Sequence, residues 1–312
     1  MTPQVQKQSH FVLALAMLVA GLCILYQPPT STSRRLTRVI NSIREKKKDH
    51  NSNHRVLEQQ ERPVIYTFFQ LKKNPGGTPD EQGKFFHEAL LDTWKEMWIE
   101  AGWEPRVLTL EDAQRHPDYE QYKSELIGTS ANNLFEDSYD FMCFVRWLAM
   151  ASHGQGGFMS DYDLFPLAVT PNFGLDPPND GIFTSFQQHV PCLVHGSPEE
   201  WERMAHLVLN KAVDKMFTEG LDFYSDMFAL LDMYKEDTST YIQENIVGFY
   251  IYKKKGVIDC DRARNLIAVH LAHDPTKKAI EDGLLDVPEH MDFRSRHYFA
   301  RNLIKDWREQ CF

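Results

Sequence analysis

From residue 62 onward, apolar and polar positions follow one another with periods that switch between about two and about 3.6, the marks of strands and of helices. Val64-Ile-Tyr-Thr-Phe-Phe69 is a β-branched and aromatic run that predicts a buried first strand. Phe85 to Ala101 has helical spacing: Phe86, Leu90, Trp94 and Trp98 recur at four-residue steps, and Gly102 stands where the helix should end. Arg106-Val-Leu-Thr-Leu110 predicts a second strand, so strand, helix and strand succeed one another and imply a βαβ crossover.

Glu111 to Tyr122 is polar and predicts a short helix with a loop, whereas Phe141 to Ser152 is an apolar helix with one charged residue, Arg146. His153, Gly154, Gln155, Gly156 and Gly157 form a tight turn, after which Phe158-Met-Ser160 leads as a brief strand into Asp161-Tyr-Asp163. Further short strands are expected at Gly181 to Ser185 and Val190 to His195. Pro198 to Phe217 predicts a helix with Ser197 as its N-cap and Trp201, Met204, Leu207 and Val208 on one face. Phe223 to Tyr234 predicts another helix, Asn265 to Ala272 is an apolar run beside His270 and His273, and Asp292 to Arg308 is a closing amphipathic helix. There is no internal repeat. The order of elements is α/β.

The amino-terminal fifth differs. Phe11 to Tyr26 carries no charge and no proline, short for a span but strongly apolar, and is followed by a polar stretch rich in Arg, Lys, Ser, Asn and Gln. The expected division is a tail over residues 1–10, a transmembrane signal anchor or cleaved signal peptide over 11–26, a stem over 27–61 and a catalytic domain over 62–312. An anchored, single-pass type II protein of the Golgi or endoplasmic reticulum membrane, with a lumenal domain, is the placement this suggests. The basic residues oppose it: Lys7 alone precedes the segment, whereas Arg34, Arg35, Arg38, Arg44 and Lys46 to Lys48 follow it, and positive charge favours the cytoplasmic side. No Asn-x-Ser/Thr sequon occurs to support a lumenal location.

Of 312 residues, 42% are apolar and 12% aromatic, enough for one large core or two tightly packed subdomains. A formal net charge of -10 excludes a surface built to neutralise phosphates along a nucleic acid. Cys143, Cys192, Cys260 and Cys311 are scattered with no C-x-x-C pair, which argues against a zinc site made of thiolates. They suit either two disulfides or four buried thiols.

Candidate chemistry gathers at Asp161 and Asp163. Two carboxylates one residue apart, at a strand end, make a compact patch of hard oxygen ligands suited to Mg²⁺ or Mn²⁺. Open α/β sheets bind ligands in the crevice at the carboxyl ends of their strands. Two acids in a turn are often only a solvated loop. Here Ser160-Asp-Tyr-Asp-Leu-Phe-Pro166 surrounds them with large apolar residues, which favours an enclosed site.

Arg146-Trp-Leu-Ala149, then Gly156-Gly157, then Ser160-Asp-Tyr-Asp163, resembles the sugar-binding D-x-D region of family 32 and related glycosyltransferases. The sharp match runs from Tyr139 to Leu167. The resemblance implies the A-type glycosyltransferase fold, in which a Rossmann-like nucleotide-binding half with a mixed sheet and helices on both faces joins an acceptor-binding half. It further implies a nucleotide-sugar donor, Mn²⁺ or Mg²⁺, and retention of anomeric configuration, with a glycan, lipid or protein hydroxyl as acceptor. Asp161 would face the donor's ribose and sugar, Asp163 would hold the metal, and Arg146 would place the sugar or orient the acids; Gly156, Gly157 and Tyr162 would line the donor. Two features depart from the family: the helix-to-strand turn is about two residues longer, and Cys143 replaces an acid one helical turn before the arginine. Such enzymes often draw a third metal ligand from near the C-terminus, here His270 or His273, the second less suited to the core.

Tyr66, Thr67 and Gln70, at the end of the first strand, are placed to contact a nucleotide. His116-Pro-Asp118 reads as an ordinary turn and Met227, Met233 and Tyr234 as core. Two other classes compete with sugar transfer. One is a non-catalytic scaffold that keeps the fold; the other is a phosphatase with an acid-nucleophile D-x-D, which Ser160 and Leu164 fit poorly.

Overall fold

Parallel pairing at the amino end realises the expected βαβ order. The computed structural model describes residues 62–71, 81–129 and 134–312, and these form one unit. Strand β1 (Val64–Phe68) lies parallel to β2 (Glu104–Leu108), with helix α1 (Glu81–Glu100) between them in sequence. Helices α2 (Leu110–Ala113), α3 (Tyr119–Gly128) and α4 (Tyr139–His153) follow, then β3 (Gly157–Ser160), parallel to β1. Next come β4 (Leu164–Pro166), α5 (Pro171–Leu175), β5 (Thr184–Gln187), β6 (Val190–Gly196), α6 (Pro198–Glu219) and α7 (Asp226–Glu236). Short strands β7 (Ile242–Gln243), β8 (Val247–Gly248), β9 (Tyr252–Lys254) and β10 (Val257–Ile258) precede α8 (Cys260–Ala263), β11 (Ala268–His270), α9 (His273–Glu281) and α10 (Arg296–Cys311).

The main sheet is mixed, in the order β2-β1-β3-β6-β5-β7. Strands β2, β1 and β3 are parallel, and β6 runs antiparallel to β3, so strand direction reverses beside β3. A second sheet, β4-β11-β8, begins where the chain leaves β3, and β9 pairs with β10 as a separate ribbon. The protein is thus α/β with a mixed sheet and many helices.

Alternation along the strands decides which helices cover which face. Tyr66, Met159 and Val194 share a core with α4, α6 and α7. The neighbours of Met159 turn the other way: Phe158 meets Trp103 and Phe173, and Ser160 accepts a hydrogen bond from Trp94 of α1 at 3.0 Å. Helix α4 is buried along most of its length, and each of its large apolar side chains contributes about 1.5–3 kcal/mol. Its ends are set by local chemistry. Ser138 accepts from the Phe141 amide, and Gly154 takes the left-handed conformation at the C-cap.

Helix α1 starts four residues before the expected Phe85, and β2 is shifted to end at Leu108 because Thr109 caps α2 with Asp112. The single helix expected over 111–122 is two helices, separated by the turn at His116-Pro117-Asp118. Helix α7 begins at Asp226 because Ser225 caps it, and only residues 268–270 of the expected 265–272 run make a strand.

Cys260 and Cys311 form a disulfide that ties α8 to the end of α10, while Cys143 and Cys192 are free thiols. The outcome is one bridge, between the two alternatives that spacing left open. The proposed tail, anchor and stem, residues 1–61, lie outside the described residues. Among the described residues no helix is long and apolar enough to cross a membrane, which corrects the single-pass Golgi or endoplasmic reticulum placement.

Candidate functional site

Asp161 follows the last residue of β3, at the carboxyl ends of β1 and β3 and next to the reversal of strand direction. The Asp161 amide donates to the Cys192 carbonyl at 2.9 Å, extending the β3–β6 ladder by one step. The chain then turns, with the Leu164 amide bonded to the Asp161 carbonyl at 3.1 Å, and enters β4. Antiparallel pairing sets His270 opposite Leu164, and the Leu271 amide donates to the Asp163 carbonyl at 2.9 Å. The junction of two sheets thereby brings a histidine more than a hundred positions away onto the acidic pair.

Each carboxylate divides its oxygens. Asp161 Oδ1 accepts from Arg146 Nη1 at 2.5 Å, and its Oδ2 lies 3.7 Å from His270 Nε2. Asp163 Oδ2 accepts from Arg296 Nη1, and its Oδ1 lies 3.2 Å from His270 Nε2. Oδ1 of Asp163 lacks hydrogen-bond geometry to that nitrogen and has no other partner. Gln187 Oε1 accepts from His270 Nδ1 at 2.9 Å and from the Cys192 thiol at 2.8 Å. With Nδ1 carrying the proton, the Nε2 lone pair of a neutral His270 faces the acids.

One atom from each of Asp161, Asp163 and His270 lies within 4.8 Å of the others. Adjacent ligands in an octahedral shell with bonds of about 2.1 Å sit about 3 Å apart, so separations of 3.2 and 3.7 Å suit one divalent ion with small adjustment. The orphaned Asp163 oxygen supplies the observation that a ligand is wanted there. Oxygen donors and one imidazole fit Mn²⁺ or Mg²⁺.

The arginines are held from behind. Arg146 donates through Nε at 3.0 Å and Nη2 at 2.6 Å to Asp226 Oδ2, which also accepts from Trp147 Nε1 at 3.0 Å. Asp226 Oδ1 accepts from the Met227 amide at 2.8 Å at the start of α7, a position favoured for an anion. Arg296, the first residue of α10, also donates to the Leu271 carbonyl at 3.2 Å.

Charge separates the two acids. Burial pushes the Asp161 carboxyl up, Arg146 offsets part of this, and the neighbouring Asp163 adds to it. Burial acts upward on Asp163 too, but His270 and Arg296 outweigh it and hold that carboxyl below the usual range. His270 is disfavoured as a cation by burial, yet the Asp163 carboxylate beside it raises it well above an ordinary histidine. An ion entering the site therefore displaces a proton.

The remaining sequence-derived candidates fall in different places. His273 is exposed and bonded through Nδ1 to Asp274 at 3.0 Å, outside the group of three ligand atoms. Tyr66 is buried, with its hydroxyl 2.6 Å from His153 Nε2, and Thr67 is buried with its hydroxyl unpartnered. Gln70 is exposed beyond β1. Gly156 has φ of +63°, and a Cβ there would lie 2.7 Å from Pro198 N, so backbone packing accounts for it. Gly157 pairs with Gly196 across β3 and β6. Tyr162 bonds His87 Nδ1 at 2.9 Å and sits edge-on to Phe69. Tyr139 is exposed at the start of α4, one helical turn before Cys143.

Asp226, Arg296 and Gln187 escaped the sequence reading. Asp226 left a faint trace, an acid after a serine at a helix start, which helix capping alone explains. Arg296 looked like any basic residue of an amphipathic helix.

The fold and this junction define an α/β protein with a half-buried Asp-Asp-His cluster able to hold a divalent cation. The chain belongs to the family described as Domain of unknown function (DUF8765), which matches residues 48–253. That span contains Arg146, Asp161, Asp163, Gln187 and Asp226, whereas His270 and Arg296 follow it. No curated protein matches the chain.

Proposed function

We propose that the protein transfers a sugar from a nucleotide-sugar donor to the hydroxyl of a glycan, lipid or protein, with Mn²⁺ or Mg²⁺, on an A-type glycosyltransferase fold and with retention. The carrying observation is the divided use of the two carboxylates. Each gives one oxygen to an arginine and turns the other toward His270. Asp161, Asp163 and His270 would hold the ion. A bound divalent ion would neutralise charge that gathers on a departing nucleoside diphosphate.

The chain's own groups do the positioning. Asp226 Oδ2 holds one edge of the Arg146 guanidinium through Nε and Nη2, so its Nη1 can hold Asp161 Oδ1 while leaving Asp161 Oδ2 for the ion. Gln187 sets the His270 tautomer. The carboxyl ends of β1 and β3 provide the crevice in which a nucleotide would lie, and Tyr139 at the rim offers an exposed aromatic face. A non-catalytic scaffold is the second reading, favoured by one feature: Arg146 and Arg296 already give each acid a cationic partner without any metal.

The test is hydrolysis of a panel of uridine- and guanosine-diphosphate sugars by the full chain, with and without Mn²⁺. The expected result is Mn²⁺-dependent release of a nucleoside diphosphate from one donor class, lost in Asp163→Asn. Donor and Mn²⁺ binding without turnover, even with simple sugar acceptors added, supports the scaffold instead.

A further inference from the structure

The turn at His116-Pro117-Asp118 has a second set of polar groups facing it. Glu202 and His206 stand one helical turn apart on α6, so their side chains leave the same face. His116 Nε2 lies 3.1 Å from Glu202 Oε2; His206 Nε2 lies 3.0 Å from Asp118 Oδ2 and 3.5 Å from Glu202 Oε1. One atom from each of the four falls within 4.8 Å of all the others. The local chain is fixed on both sides. The His116 amide donates to the Ala113 carbonyl and the Tyr119 amide to the His116 carbonyl, while Asp118 stands at the start of α3.

We propose that His116, Asp118, Glu202 and His206 form a zinc site separate from the Asp161–Asp163 cluster. Bonds of about 2.0–2.1 Å in a tetrahedron put neighbouring ligand atoms about 3.3 Å apart. The three contacts, at 3.0, 3.1 and 3.5 Å, bracket that edge length. Two imidazoles and two carboxylates are a borderline donor set, which suits Zn²⁺ better than a hard ion. Among the described residues, the ion pairs of Asp118 and Glu202 are with these two histidines alone. No arginine stands in for the metal, unlike at the first cluster. With neutral imidazoles the four groups carry two negative charges, which one divalent cation cancels.

Binding has a defined tautomeric cost. His116 Nδ1 accepts from the Asp118 amide at 3.2 Å, which leaves the ring proton on Nε2. Zinc at that nitrogen shifts the ring proton of the neutral imidazole to Nδ1, so the weak amide contact is given up. The gain is a staple from the turn between α2 and α3 to α6, and α6 packs in turn on the helix that carries Arg146.

The test is titration of the full chain with Zn²⁺ by calorimetry, with bound metal counted by elemental analysis. The expected stoichiometry is two ions in the wild type, because the Asp-Asp-His cluster also accepts zinc, and one in either His206→Gln or Glu202→Gln. Both positions are partly exposed, so these variants should fold, which circular dichroism checks. In Asp163→Asn one zinc should remain, and Co²⁺ placed there should give the intense visible bands of a tetrahedral site. Unchanged stoichiometry and affinity in both His206→Gln and Glu202→Gln overturn the proposal. So does a wild type that binds a single zinc lost on Asp163→Asn. Should Asp163→Asn fail to fold, the difference of one ion between wild type and His206→Gln still decides.

Discussion

Two clusters of carboxylates and imidazoles in one molecule are built on different principles. The Asp161–Asp163–His270 group sits at a junction of two sheets, its histidine buried and its acids half-buried, with an arginine on each acid and a second layer, Asp226 and Gln187, behind. The His116–Asp118–Glu202–His206 group joins a turn to a helix near the surface, where only His116 is buried, and contains no arginine. Buried charges must be compensated even without metal, whereas exposed ones can wait for it in water. The first cluster is therefore preorganised and expensive to disturb, the second inexpensive and adjustable.

Breaking the arginine frame should give the largest effect. Arg146→Met leaves Asp161 and Asp226 without their shared cation and should destabilise the fold by about 3–5 kcal/mol in denaturant titrations. A loss below about 1 kcal/mol would mean the first cluster is no more constrained than the second. Next is the disulfide, which fastens the helix that begins with Arg296. Its 51-residue separation predicts a loss of about 2–4 kcal/mol on replacing Cys260 and Cys311 with serine. Melting under reducing and oxidising conditions checks this.

His195 is a third case, a buried imidazole facing Phe158 with no acid beside it. Burial lowers its pKa to about 4. The folded state then binds fewer protons than the unfolded state between about pH 6.5 and 4, so this stability is present above pH 6.5 and is lost as pH falls. About 2 kcal/mol should disappear between pH 7 and 5, and His195→Gln should reduce that slope; an unchanged slope would place the acid sensitivity elsewhere. The smallest effect concerns Gln187. Gln187→Leu frees the His270 tautomer and should weaken Mn²⁺ binding about 10–100-fold with little change in zinc at the other cluster. Equal weakening at both would erase the distinction.

Legibility followed locality. The Asp pair, Arg146 and the glycine turn lie within a short segment whose pattern sets its own helix, turn and strand, so their neighbourhood could be read from order alone. His270 was read only as one of two histidines. The choice came from the pairing of β11 with β4, a contact between distant segments that periodicity does not encode. His116-Pro-Asp118 is legible as a turn, but its partners, Glu202 and His206, sit on a helix whose sequence pattern is dominated by its apolar face.

The sequence by itself determined the α/β order of elements, the apolar character of α4, the helix ends set by Ser197 and Gly154, and the acidic pair after β3. These depend on residues within a few positions of one another, where period, capping and backbone freedom act. Tertiary structure alone decided that Asp226 holds Arg146, that Arg296 holds Asp163, that Gln187 orients His270, and that Cys260 bonds Cys311. Each of these joins segments far apart in the chain, and burial makes such partners necessary without saying which residues they will be.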